Sequence, residues 1–193
     1  MSSLNGGTTW GNHVIVYNDP LGRNNYYMSL VVNNNSGLSL AWQRDVGGGL
    51  NKIYFSTSAN NGTAWSAAVE VGRTTGNELY PSMTGTGSNL YLVWQDDTVG
   101  NNEIVFRNSS NQGTSWVPDL AVAPTNVSGD TASSTHPSVS QWKGQVFVIW
   151  DTDLDHANRD LYTRLNDSTQ WLPVVNYTSD NLGNRYPNLR LDG

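Results

Sequence analysis

Seven of the eight tryptophans fall on two interleaved ladders, and that regularity constrains the fold more than any other feature. Trp10, Trp65, Trp116 and Trp171 are separated by 55, 51 and 55 residues, and Trp42, Trp94 and Trp150 by 52 and 56. A period slightly above 50 residues marks an array of supersecondary units that bury their apolar faces only by stacking. Each period carries four short pieces. A stretch behind an X-Pro step comes first: Tyr80-Pro81, His136-Pro137 and Tyr186-Pro187, with Tyr27-Met28 as the copy lacking proline. An apolar run ending in tryptophan follows: Leu38 to Trp42, Leu90 to Trp94, Val146 to Trp150. The third piece is Ile53 to Phe55, Ile104 to Phe106, or Leu161 to Thr163. The fourth is Ala68 to Val71, Leu120 to Ala123, Val174 to Tyr177 and, near the N-terminus, Val14 to Tyr17.

These runs are short, β-branched or aromatic, and bounded by Gly, Asn, Asp and Pro, so they read as strands. No window supports a ten-residue helix. Composition agrees: 24 Asn and 19 Gly suit turns, and eight Trp with nine Tyr are too aromatic for a disordered chain. The expected fold is all-β, a β-propeller of four-stranded antiparallel blades. The chain holds about three full blades plus split terminal strands, with boundaries at 1–26, 27–79, 80–135, 136–185 and 186–193. A β-sandwich would not require so regular a repeat.

Charge and composition exclude several functions. A net charge of −6 with two lysines argues against a nucleic-acid surface. No apolar run approaches 18 residues, which argues against a membrane-spanning helix. With no Cys there is no disulfide framework, thiolate metal site or cysteine nucleophile. The start, Met1 to Gly7, lacks the basic and apolar regions of a signal peptide. The compartment stays open, an extracellular or cell-surface one being the expectation.

Between the third and fourth pieces the turn repeats a pattern. Ser58, Asn60, Gly62 and Trp65 share the spacing of Ser109, Asn111, Gly113 and Trp116, and of Ser3, Asn5, Gly7 and Trp10. A weaker copy runs from Arg164 through Asn166 and Ser168 to Trp171. Asn can hydrogen-bond the turn backbone, Gly supplies a positive φ, and Trp can pack between blades. The pattern resembles the Asp-box, or bacterial neuraminidase repeat, of the sialidase-like propellers, with Asn where that family prefers Asp. The resemblance covers nearly the whole chain. It implies that these turns are structural and lie opposite the ligand face.

The circle is incomplete. Joining the chain ends gives a hybrid blade with an inner and an outer strand and little between, and open blade faces invite association. Trp10 needs a neighbouring blade to pack against. The expectation is ring closure by self-association, a homodimer, with a segment of a longer propeller as the alternative.

The ligand face should carry the turns between second and third strands and the connections into the first strands. Candidate ligand-binding residues are therefore Asp45, Asp97 and Asp153, each three residues after a ladder tryptophan, with Tyr80, His136, Tyr186, Arg73 and Arg185. Turn carboxylates also accept backbone N–H bonds, so the aspartates have a purely structural reading too. The loop Asp151, Asp153, Asp155 alternates carboxylates as calcium loops do, yet lacks the glycine at the sixth position and the glutamate at the twelfth. Sialidase chemistry would need three arginines and a Tyr–Glu pair. Arg23, Arg73 and Arg185 are present, but the Phe/Tyr-Arg-Ile-Pro motif of such enzymes is not. No serine elbow, phosphate loop or His-Glu-x-x-His occurs. The expectation is a non-catalytic propeller module that binds a glycan or protein and needs no cofactor. The alternatives are a self-assembling structural fragment and a sialidase-like hydrolase fragment.

Overall fold

The computed structural model describes residues 3, 5–33, 37–153, 159–178 and 183–190. Among the described residues twelve strands form three four-stranded antiparallel sheets, in which each strand pairs with its sequence neighbour. The first blade is β1 (Asn25–Val32), β2 (Leu38–Gly47), β3 (Leu50–Ser58) and β4 (Val69–Glu70). The second is β5 (Glu78–Thr86), β6 (Asn89–Asp96), β7 (Glu103–Ser109) and β8 (Thr125–Asn126). The third is β9 (Ser134–Trp142), β10 (Gln145–Thr152), β11 (Asp160–Asn166) and β12 (Val175–Asn176). Among the described residues there is no helix. The all-β class and the propeller-type blades are those the repeat implies.

Two apolar cores lie between blades. The first joins Ala41, Ile53, Phe55 and Val71 of the first blade to Met83, Leu90, Leu92, Trp94 and Trp116 of the second. The second joins Val93, Ile104, Phe106 and Val127 to Val139, Val146, Val148, Trp150 and Tyr162. In β6, Leu92 and Trp94 face one neighbour while Val93 faces the other, so the alternation of a strand is apolar on both sides. The β3–β4-type turns close these cores. Trp116 meets Phe55 of the preceding blade edge-on at 5.1 Å, and Trp171 meets Phe106 likewise at 5.1 Å. Gly113 has φ +83°, and a Cβ there would lie 2.1 Å from the Phe55 ring, so the turn must carry glycine to approach so closely.

Three turns share one hydrogen-bond scheme. In the first blade Ser58 Oγ donates to Asn60 Oδ1 at 2.9 Å and accepts from Gly62 N–H at 2.9 Å, while Ala64 N–H donates to Asn60 Oδ1 at 2.8 Å. Ser109, Asn111 and Gly113 repeat it, as do Ser3, Asn5 and Gly7. The weak copy is rebuilt: Asn166 Oδ1 takes Ser168 N–H, and Asp167 Oδ1 takes Thr169 N–H.

Two outer strands differ from the sequence expectation. Residues 120–123 form a turn, and the second blade pairs instead through β8. The cause is Arg107, fully buried, whose guanidinium donates to the carbonyls of Asp119 and Val122 at 2.9 and 2.6 Å and to Val71 of the preceding blade at 3.0 Å. Wrapping those carbonyls around a buried cation satisfies its donors, which outweighs strand pairing there. Burial pushes its pKa below the ordinary arginine value. Residues 14–17 form no strand. They cover part of the first blade's outer flank, Val14 and Val16 lying by Leu30, Leu38, Leu40 and Trp65, and Tyr17 ringed by Trp42 and Tyr54.

Candidate functional site

Each inner strand carries the same irregularity where it reaches the mouth of the channel. The register of β1 with β2 shifts between Tyr26 and Ser29, that of β5 with β6 between Leu79 and Ser82, and β9 with β10 breaks at Ile149–Asp151. The residue at each break is left-handed: Tyr27 at φ 46°, Tyr80 at 52° and His136 at 52°; Tyr186, beyond β12, follows at 56°. A bulky residue with positive φ is strained, and bulges re-aim side chains. Four equivalent positions are thus bent to point one ring each towards a common centre. Tyr27 and Tyr80 lie 4.6 Å apart, Tyr80 and His136 4.6 Å, and His136 and Tyr186 4.2 Å. With Pro81, Pro137, Pro187, Met28 and Asn188 they line a cavity of about 390 Å3. A second cavity of about 320 Å3 adjoins it between Tyr27 and Tyr80 and reaches Gln43, Asp45 and Asn51.

The strained backbone of Tyr80 and that of Tyr186 are held by the residues that follow Trp42 and Trp150. Gln43 Oε1 accepts the N–H of Tyr80 at 3.2 Å, and its Nε2 donates to Asn51 at 3.1 Å. Gln95 donates in the same way to Asn102 at 2.9 Å. In the third blade this amide pair becomes an ion pair. Asp151 stands in the glutamine position and Arg159 in the asparagine position, with Arg159 Nε donating to Asp151 Oδ1. Asp151 is fully buried and also accepts from Thr135 Oγ1 at 2.8 Å, His136 Nδ1 at 2.9 Å and Tyr186 N–H at 3.3 Å. The carboxylate therefore fixes the tautomer of His136: Nδ1 carries a proton, and Nε2 is the ring's remaining polar atom. Tyr80 has its pKa raised, by burial first and then by its hydroxyl contact with Tyr27.

The turn aspartates are engaged locally. Asp45 Oδ1 takes Gly47 N–H at 2.7 Å, Asp97 Oδ1 takes Asn77 N–H at 2.6 Å, and Asp153 Oδ1 takes Ser133 N–H at 2.9 Å. Of the three, only Asp45 lines either mouth cavity. Arg73 is exposed and donates to the Glu70 carbonyl at 3.2 Å, and Arg185 is exposed beside Tyr186. Neither lines the mouth cavities. Of the calcium-type loop, Asp155 lies outside the described residues. Asp151 is committed to its four donors, and Asp153 also lies 3.7 Å from Arg159. Among the described residues no group of three or more His, Asp or Glu is placed to hold a metal.

Tyr27, the amides of Gln43 and Gln95, and Arg159 complete the site beyond the residues singled out as its binding candidates. Tyr27 was visible in sequence as the copy of Tyr80. Gln43, Gln95 and Asp151 had a signal too, since each follows a second-strand tryptophan.

No protein-family model matches the chain, and no curated protein sequence matches it. Solved structures do. An α-L-arabinofuranosidase from Podospora anserina, in complex with cellotriose, aligns with TM-score 0.56 at 15% identity, over 86% of this chain and 54% of that one. An α-L-arabinofuranosidase from Fusarium graminearum, in complex with an iminosugar inhibitor, gives 0.59 at 12%, over 88% and 54%. An α-L-arabinanase from Penicillium chrysogenum, complexed with arabinobiose, gives 0.54 at 17%, over 83% and 52%. The fold is therefore of the β-propeller kind found among glycoside hydrolases, and the likeness is one of fold. The chain spans about half the length of these structures.

Proposed function

We propose that this chain is a non-catalytic propeller module of the Asp-box type that binds a glycan at its channel mouth, with the ring completed by a second copy of itself. The observation that carries the glycan reading is the arc Tyr27, Tyr80, His136, Tyr186, aimed inward by four left-handed residues. Aromatic faces stack on the C–H faces of sugars, while the phenol and imidazole edges reach hydroxyls. Most glycoside hydrolases flank the scissile bond with two carboxyl groups. Among the described residues no carboxylate lines the main cavity, and Asp151 behind it is consumed by four donors. The Asp-box reading rests on the three matching Ser-x-Asn-x-Gly turns.

The neighbours' ligands make arabinobiose and cellotriose the first compounds to test. Titration calorimetry should detect binding, and Tyr80→Ala should weaken it about tenfold, the scale of one stacked ring. Binding unaffected by Tyr80→Ala would refute this site. Release of arabinose from arabino-oligosaccharides by the wild-type chain, lost in Asp151→Asn, would refute the non-catalytic reading.

A further inference from the structure

Successive inner strands are joined by one repeated bond. Met83 N–H donates to Ser29 Oγ at 3.0 Å, Val139 N–H to Ser82 Oγ at 3.2 Å, and Leu189 N–H to Ser138 Oγ at 2.9 Å. Residues 186–189 thus sit beside β9 as β9 sits beside β5, in the place of a fourth inner strand. By position, the ladder ends at the side chain of Asn188 on one side and at the N–H of Leu30 on the other. The flanks end in the same complementary way. Tyr177 N–H donates to the Leu161 carbonyl at 2.8 Å, as Val71 does to Ile53 and Val127 to Ile104, so Tyr177 is the third copy of a core position. Val71 and Val127 are fully buried by the next blade, whereas Tyr177 is 73% exposed. On the opposite flank Leu30 occupies the position of buried Met83 and Val139 but is 57% exposed, with Met28 and Val32 also open. Trp10, equivalent to Trp116 and Trp171, is 61% exposed.

The geometry points to a head-to-tail junction between two copies of this chain, which specifies the self-association named above and rests on that part of the reading. The inner strand 186–190 of one copy lies along β1 of the next, Asn188 accepting Leu30 N–H, and Trp10 of the next copy covers Thr163 and Tyr177 of the first. The occupant is argued from continuity. The chain already makes this interface twice, between its own blades, and it presents the incoming half at one end and the outgoing half at the other. Such a heterologous contact closes into a ring when the rotation permits. It would also continue the aromatic arc from Tyr186 of one copy to Tyr27 of the next.

The chain lacks cysteine, so a cysteine pair reads the junction directly. Treated with a short thiol cross-linker, L30C/N188C should give covalent dimer, while S138C/L189C, the same step within one chain, should give cross-linked monomer. Sedimentation should find roughly twice the 21.1 kDa chain mass for the wild type. Leu30→Arg and Tyr177→Arg should each weaken association about tenfold or more, since each buries an unpaired charge. Mixed together, they should recover dimer through the one junction left intact. A monomeric wild type, an intrachain L30C/N188C product, or a fully dimeric Tyr177→Arg variant would overturn the proposal. Glycan binding is read separately: a dimer that binds no sugar refutes the glycan reading alone, and a sugar-binding monomer refutes this junction alone.

Discussion

Gln43 with Asn51 and Asp151 with Arg159 occupy equivalent places behind the channel mouth, and they solve one problem with different chemistry. Both must hold the N–H of a left-handed aromatic residue on the next inner strand. Gln43 does so as a neutral amide, half of whose capacity goes to Asn51. Asp151 holds Tyr186 N–H and, beyond that, orients the imidazole of His136. An amide would serve the backbone bond equally well. The charged version adds a fixed tautomer to the one arc position that is histidine rather than tyrosine, and a buried anion then requires Arg159 as its partner. The repeat is broken where one ring is given a polar role.

Breaking the two pairs should separate these jobs. Asp151→Asn should have the largest effect, a loss of about 3 kcal/mol in chemical denaturation, because it strands the Arg159 cation in a largely buried place. Gln43→Ala should cost about 1–2 kcal/mol, the scale of an unsatisfied backbone N–H. If the two losses were equal, the ion pair would be no more than a substitute for the amide. Asp45→Ala should change stability by under about 1 kcal/mol, since its turn faces solvent, which supplies replacement hydrogen bonds.

A buried carboxylate between the first two blades gives a pH test. Glu78 is fully buried, accepts the N–H groups of Ile53 at 2.7 Å and Thr74 at 2.9 Å, and lies 3.4 Å from Lys52 Nζ. Burial dominates and raises its pKa above the ordinary 4.5, the backbone bonds and Lys52 opposing. A raised native pKa means the folded state binds the proton more tightly than the unfolded chain. This contribution is therefore fully present below 4.5 and is lost as pH rises through the higher native value. Melting temperatures of wild type and Glu78→Gln should converge or cross in favour of Gln as pH rises from 4 to neutrality. Divergence in favour of the wild type would show that Lys52 and the backbone donors win instead. The corresponding contact in the second blade lacks this feature, because Ser128 Oγ takes the N–H of Ile104 there. Gly72 stands in the Ser128 position, and a Cβ on it would lie 1.7 Å from Glu78 Oε2. Gly72→Ser should accordingly destabilise strongly by displacing Glu78, measurable in the same melts.

Much of the fold was legible because the tryptophan ladders count blades directly. Trp42, Trp94 and Trp150 are all buried, and spacing alone separates these second-strand residues from the turn tryptophans, whose exposure runs from 4% at Trp116 to 61% at Trp10. The outer strands were less legible. Residues 120–123 have strand-like composition, but a buried guanidinium 13 positions upstream of residue 120 takes carbonyls of that segment, and no local pattern reveals it. At the mouth, the X-Pro steps named Tyr80, His136 and Tyr186, yet proline disfavours helical geometry before it without announcing a left-handed one. The aspartates drew attention by recurrence, whereas the structure engages each of them with a nearby backbone N–H.

The sequence by itself determined the period, the blade order and the turn chemistry. Those depend on contacts within a few residues or one repeat, where chain distance and spatial distance run together. Tertiary structure alone decided which side of each inner strand faces the channel, that Asp151 serves both a neighbouring strand and His136, and which flanks stay open. Those outcomes depend on bulges and cross-blade packing, which bring together groups about 15 to 60 residues apart according to burial and hydrogen-bond satisfaction rather than sequence distance.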